Sequence, residues 1–302
     1  MSYAFELDQT ISVNTRRIAQ EQIDKALEEL SDVGGVHETV HEVRKRLKKL
    51  RALVRIVRDD LGKTYKKENA FFRDLGRQIS DVRDGTSMME IFDDVLDRKA
   101  DQWDLRHFVP IRDQLRKRRD EQMPGGEMEL RATLARIGEH LEEARERVGA
   151  WQIDDHGFET LGPNVYRTYE RGRVGMAEAI AKPNTQNMHE WRKRAKYHRY
   201  HLNLLRRTWP NVITAVRDQA HDLTDLLGEH HDLSMLRALL SGPSRGEFGP
   251  PERVSPVLEA ITERVEQILL EVTPAGTRLY CEKPKHLVRR LDAYYEAGRK
   301  QV

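Results

Sequence analysis

The chain contains a single cysteine, Cys281, among 302 residues. That excludes an intramolecular disulfide and fits a reducing compartment. Aromatic residues are scarce, at 7%, and long alternating runs of β-branched residues are absent, which weighs against strands. No uncharged apolar run reaches membrane-spanning length. The first 30 residues alternate charged and apolar residues without the apolar stretch of a signal peptide. There is no glycine-rich phosphate loop and no nucleophile-elbow motif, so no cofactor is implied. Charge of one sign is lacking too: 52 basic residues meet 50 acidic ones for a net +2. Bulk charge therefore announces no polyanionic partner, and any such partner depends on how the charges are segregated. These absences describe a soluble, cytoplasmic protein with no membrane partner. Nothing in them assigns an oligomeric state.

What is present is helical periodicity in a very polar chain, 34% charged. The apolar spacing predicts helices over 14–30, 36–61, 65–84, 87–99, 104–122 and 127–148 in a first half. A joint at 151–157 follows. The second half predicts helices from beyond Pro163 to 181, then over 184–209, 211–228, 232–240, 255–272 and 284–298. Breaks are expected at Gly34-Gly35, Gly62, Gly85-Thr86, Pro124-Gly125-Gly126 and Pro210. Residues 241–251 read as an exposed loop, and 273–283 fit no element clearly. The expected fold is all-α.

One pattern occurs twice. His41-Glu-x-Arg-Lys-Arg-x-Lys-x-x-Arg51 recurs as His189-Glu-x-Arg-Lys-Arg-x-Lys-x-x-Arg199. The two histidines lie 148 positions apart, and so do Asp84 and Asp232, each expected near the end of a following helix. Two landmarks at one offset argue for an internal duplication, with repeats of roughly 8–150 and 156–300 in one domain spanning 1–302. Two helical bundles related by a pseudo-twofold axis are its natural consequence.

At 100° per residue, Arg44, Lys45, Lys48 and Arg55 fall within about 60° of His41, with Arg51 just beyond. Val43, Leu47, Leu50, Val54 and Val57 lie opposite. In the second copy His189, Arg192, Lys193, Lys196 and Arg199 form the front, Tyr200 and Asn203 extend it, and Arg206 lies at its edge. Trp191, Ala195, Leu202 and Leu205 form the back. Acids are expected to stay off this front, since Glu42 and Glu190 point to one side. Like charges at i,i+3 and i,i+4 each cost a few tenths of a kcal/mol, roughly, so a neutralising partner is expected. Arginine forks suit phosphate oxygens and lysine supplies point charge, which points to a string of phosphates. His286, Arg289 and Arg290 repeat the spacing on the last helix and join the candidate set.

Competing motifs carry less. His37-Glu-Thr-Val-His41 has the spacing of a zinc-protease pair, but Thr185 stands where the second copy would need the first histidine, and a cationic front repels a divalent ion. His221, His230 and His231 suggest a metal cluster, yet adjacent helical residues point apart; Asp232 is better read as a cap on the next helix. Arg116-Lys-Arg-Arg119 reads as a solvated helix face.

The repeated His-Glu-x-Arg-Lys-Arg-x-Lys-x-x-Arg helix, followed by a leucine-rich helix with Asp, resembles the CHAD (conserved histidine α-helical domain) family. The segment Tyr166-Arg-Thr-Tyr-Glu-Arg-Gly-Arg173 resembles that family's entry to its second half. The resemblance spans about 8–299. It implies two pseudo-twofold bundles, non-catalytic binding of inorganic polyphosphate along a basic groove or pore, and association with polyphosphate granules. The residues implied are His41, Arg44, Lys45, Lys48, Arg51, His189, Arg192, Lys193, Lys196 and Arg199. The family's Leu-Arg-Asp junction is Val82-Arg83-Asp84 in the first half but His230-His231-Asp232 in the second, which leaves position 231 outside the implied set. A nucleic acid is an alternative partner for the same front, although Tyr200 is nearly its only stacking aromatic. A phosphate-processing or metal-dependent enzyme would need a carboxylate or metal that the front does not display.

Overall fold

The apolar backs of the two basic helices fix the architecture. In a computed structural model that describes residues 3–31, 35–121 and 125–301, the first basic helix is α2 (Val36–Ile56) and the second is α8 (Thr185–Leu205). Val43, Leu47, Leu50 and Val54 of α2 and Trp191, Ala195, Leu202 and Leu205 of α8 are all buried. Burying such side chains stabilises by about 1.5–3 kcal/mol each, and each helix therefore sits inside a bundle with only its front free.

Each bundle has the same neighbour pattern. In the first half, α2 packs against α1 (Ile11–Ser31) and α3 (Arg58–Gln78). α6 (Gly126–Gly149) lies on α1, and α5 (Val109–Glu121) lies on α4 (Ser80–Arg98). In the second, α8 packs against α7 (Phe158–Ala181) and α9 (Pro210–Ser241). α11 (Pro284–Arg299) lies on α7, and α10 (Pro251–Leu279) lies on α9. The halves meet where α2 crosses α8 and where α4 meets α9. No strand occurs among the described residues, so the fold is all-α.

Several predicted boundaries move. Gly62 does break the backbone, at φ 49° and ψ −117° inside the span of α3, a conformation that favours glycine. Gly85 does not: it is buried within α4, and the chain turns at Ile79 instead. Likewise α9 is one helix of 32 residues where two were expected. Asp84 and Asp232 therefore lie inside helices, and Asp232 caps nothing. Glycine spacing is a weak helix stop when both neighbouring turns are packed. α10 runs through Pro274 to Leu279, which settles the ambiguous 273–283 segment as mostly helix. α7 begins at Phe158, with Pro163 inside it. The expected loop at 241–251 holds a short 3₁₀ turn, Arg245–Phe248, with Phe248 buried. Gly34 and Pro124, two of the expected breakers, lie outside the described residues, as does Gln122.

α8 is clamped from behind. Trp191 is fully buried; its Cα lies 3.4 Å from where a Cβ on Gly175 of α7 would stand, and its ring fills the space of a Cβ on Gly276 of α10. Overpacking a tight core typically costs about 1–3 kcal/mol. Gly276→Ala is expected to lose stability in that range in urea unfolding, while Gly35→Ala, with open space around it, is expected to lose far less. Equal, negligible losses would mean that the clamp is loose.

Candidate functional site: two facing basic helices

The crossing of α2 and α8 turns both fronts toward one place. Lys48 acts electrostatically on Lys196, and Arg192 acts on both. Lys48 is exposed along its side chain, while its ammonium stands among Arg44, Arg192 and Arg83. Burial, followed by Arg44, Arg192 and Arg83, lowers its pKa to about 8. Burial, then Arg192, Lys48 and Arg199, holds Lys196 well below its ordinary value. An accessible but crowded ammonium is what a narrow cleft produces: water enters, but too little of it to solvate the charge fully.

Carboxylates reach the cations from neighbouring helices. Asp84 of α4 faces Arg44, and Asp232 of α9 faces Arg192. Burial raises both carboxyl pKa values despite those arginines. Arg44 donates to the carbonyl of Gly76 at 2.6 Å. Arg192 lies against Gly228 of α9, 3.1 Å from where a Cβ would stand, so glycine there makes room for the guanidinium. The expectation that acids stay off the front is thus corrected. It holds along each helix and fails in space, because Asp84 and Asp232 arrive from other elements. The motif glutamates also take part: Glu42 binds Lys45 at 2.9 Å and Glu190 binds Lys193 at 2.5 Å, partly neutralising the outer edge.

The histidines flank the cluster. Burial first, then Arg83, lowers the pKa of His41, while burial and Lys193 lower that of His189. His231 lies beside His189, ring centroids 4.6 Å apart, with its pKa lowered to about 4 by burial and then by Arg192. Arg83, 148 positions before His231, takes the same place beside His41 and binds Glu90 at 2.8 Å. Position 231, which the sequence left out, therefore belongs to the cluster. The usable signal was its match to Arg83 at the repeat offset. His230 is buried in α9. His221 binds Asp225 at 2.7 Å on the exposed side. His37 meets Thr86 at 3.2 Å, and no three metal-ligating side chains converge among the described residues.

Further along the helices the fronts diverge. Arg51 donates to Asn69 at 3.3 Å, and Arg199 donates to Thr224 at 3.3 Å. Arg55 stacks over Tyr197, 4.1 Å from its centroid. Tyr200 is buried beneath Tyr3, ring centroids 6.3 Å apart. Arg206 donates to the Tyr3 carbonyl at 3.0 Å and to Asn203 at 2.8 Å. The chain's N-terminal segment thus covers this end of α8, and Tyr200 and Arg206 hold that segment in place. His286 and Arg289 are exposed on α11, and Arg290 is bound to Glu282 at 2.5 Å. α11 reaches the second half through α7 and the turn at Arg206–Thr208, so the structure does not gather this trio with Lys48 and Lys196. In the 116–119 run Arg116, Lys117, Arg118 and Arg119 each meet a carboxylate, on Asp113, Glu121, Glu247 and Asp120.

Two buried histidines had no sequence signal. His201 Nε2 meets the Ala52 carbonyl at 3.2 Å, tying α8 to α2, and burial lowers its pKa to about 3. His198 packs between Tyr169 and Tyr280 and is likewise lowered to about 3. Both are neutral structural residues at neutral pH.

The lowered pKa of Lys48 has a stability consequence of definite sign. Between pH 8 and the ordinary lysine value, the unfolded chain binds more protons at this site, so stability rises with pH there. The penalty is fully present below pH 8. Lys48→Met is expected to be more stable than the parent at pH 7 by on the order of 1 kcal/mol, a figure reduced for solvent contact. The advantage should vanish by about pH 10. Urea unfolding across that range checks it, and a variant no more stable at pH 7 would contradict the crowding of this ammonium.

Comparison with known proteins gives the family and the fold. A family model described as the CHAD domain matches residues 17–241. Among solved structures, the crystal structure of the CHAD domain from the plant Ricinus communis is similar, with 15% identity and a TM-score of 0.54 over 90% of this chain and 93% of that one. That likeness bears on the fold. No curated protein matches. With its match extending over most of its length and taking in both basic helices, the chain belongs to the CHAD domain family.

Proposed function

We propose that the protein binds inorganic polyphosphate without catalysis, in the cleft between α2 and α8, and that this binding brings it to polyphosphate granules in the cytoplasm. The CHAD family is associated with polyphosphate binding. The carrying observation is the packing of α2 against α8, which brings Arg192 to act on both Lys48 and Lys196 and Lys48 to act on Lys196. A folded chain that holds these charges together without a full complement of acids is suited to a ligand that supplies closely spaced negative charge. Arg44 and Arg192, oriented by Gly76 and Gly228, offer planar forks to phosphoryl oxygens, and the two lysines offer point charge. Asp84 and Asp232 limit repulsion in the empty cleft and hold the arginines in place; no acid–base role is assigned to them. His41, His189 and His231 can each donate one hydrogen bond while neutral. A nucleic acid is the second reading. It ranks lower because the aromatics of α8 are occupied: Tyr197 is covered by Arg55, and Tyr200 is buried with Arg199 over its ring.

Titration with long-chain polyphosphate, tripolyphosphate and single-stranded DNA at two salt concentrations tests the reading. Polyphosphate is expected to bind tightest, with a steep salt dependence of roughly 0.7 per phosphate contact, the single-strand value. No phosphate should be released. Lys48→Glu and Lys196→Glu should each weaken binding and flatten the salt slope. Equal affinity for DNA, or phosphate release abolished by His41→Ala, would overturn it.

The pH dependence follows from the same groups. A polyanion favours the protonated forms of Lys48, His41 and His189, so binding takes up protons. Affinity should fall as pH rises through about 8, where Lys48 discharges, and should rise in acid as the histidines charge. Calorimetry in buffers of different ionisation enthalpy at pH 8 would detect the uptake. None is expected for the Lys48→Met variant beyond what Lys196 contributes.

A further inference from the structure

A second cationic cluster lies where the end of α2 meets α7 and α8. Arg55 at the end of α2, Arg58 at the start of α3, Arg167 and Arg171 of α7, and Arg194 of α8 line one shallow pocket of about 10 Å³ around Tyr197, so a phosphate would sit over its mouth. Acids are few here. Arg167 meets Asp59 at 3.2 Å and Arg194 meets Glu190 at 3.4 Å. Arg55, Arg58 and Arg171 have no carboxylate partner among the described residues; Arg55 and Arg58 lie over Tyr197 and Tyr65 instead. The Nε of Arg55 is buried without a hydrogen-bond acceptor. Burial, then Arg194, Arg55, Arg58 and Arg167, lowers the pKa of Arg171.

The first half shows that this imbalance is not a requirement of the fold. Asn14 and Arg17 of α1 correspond to Asn164 and Arg167 of α7, 150 positions later. In both pairs the buried asparagine Oδ1 accepts from the arginine, at 2.7 Å and 2.6 Å. One turn on, α1 carries Glu21, which neutralises Arg17 at 2.9 Å. At the corresponding place α7 carries Arg171. The same scaffold thus holds a closed ion pair in one half and an open arginine cluster in the other.

The pocket does not stand alone. Arg167 and Arg171 also border an open groove of about 910 Å³ between α7 and α11, floored by Phe158, Pro163, Tyr166 and Val288. Glu159, Glu170 and Asp292 stand on its rim together with Lys285 and Arg289. The mixed rim selects neither sign of charge, whereas the apolar floor accepts a ring and the carboxylates accept hydroxyl donors. We propose that the arginine cluster is a second anion site, separate from the α2–α8 cleft, which takes the phosphates of an organic di- or triphosphate while its ring-bearing, hydroxyl-rich body lies in the α7–α11 groove. A nucleoside triphosphate has this chemistry. Bare oligophosphate would engage only the guanidinium groups at the pocket's mouth.

Binding of ATP and of tripolyphosphate, both without divalent metal, would be measured by calorimetry on the whole chain and four variants. Arg171→Glu copies the ion pair of the first half, so its melting temperature should hold while ATP affinity falls at least tenfold. Arg171→Gln guards against a folding effect and should fall similarly. Lys48→Gln combined with Lys196→Gln should lose long-chain polyphosphate and keep ATP, which separates failure of this site from failure of the cleft. Tyr166→Ala should weaken ATP and leave tripolyphosphate unchanged. The proposal is overturned if the parent protein shows no saturable ATP binding, if the Arg171 variants bind ATP as the parent does, or if the lysine variant loses ATP instead. Equal affinity for the two ligands, insensitive to Tyr166→Ala, would overturn the assignment of an organic body.

Discussion

Holding like charges face to face is the constraint on which the rest of this structure depends. α2 and α8 pack with their cationic sides toward each other, and around the exposed Lys48 the cations Lys196, Arg44 and Arg192 are only partly solvated. Repulsion of this kind would drive a pair of free helices away from each other. These helices stay together because each has an apolar back locked into its own bundle, with Leu47 and Leu50 on one side and Trp191 and Ala195 on the other. The core supplies the stability, and the cleft consumes some of it. This is the usual relation between a packed scaffold and a functional site that is strained when empty.

Partial compensation comes from outside the two helices. Asp84 and Asp232 sit on α4 and α9, the elements that also join the halves. Their carboxyl pKa values are raised, which means that burial outweighs the attraction of the arginines they face. The acids steady the cleft without closing it. His201 adds a neutral tie to Ala52 across the α2–α8 crossing, where a charged partner would have added to the repulsion.

Matched positions in the two halves show what the arrangement holds constant and what it allows to vary. Arg44 and Arg192, Lys48 and Lys196, and Asp84 and Asp232 keep both residue type and place. Arg83 and His231 keep the place beside a motif histidine but differ in charge: one is a permanent cation tied to Glu90 and the other a neutral ring. Glu21 and Arg171 differ in sign. The centre is therefore symmetric in charge while the periphery is not, and the asymmetry falls where the α7–α11 groove adjoins the arginines.

The sequence by itself determined the helical class, the two basic helices and their apolar backs, because a 3.6-residue period reports which face is buried wherever the partner surface is apolar. It also marked the paired landmarks at one offset. It misplaced the breaks at Gly85 and Gly228, since packing can carry a helix through glycine when both flanking turns are buried. It counted Tyr200 and Arg206 as front, since a helical wheel records direction and cannot show that Tyr3 comes back to cover them. Tertiary structure alone decided that the two ladders face each other and that acids from α4 and α9 reach them. Those are relations between residues distant in the chain, and no local period encodes them. The physical reason is that burial of apolar backs is a property of each helix, whereas the field at Lys48 is a sum over every helix that closes around it.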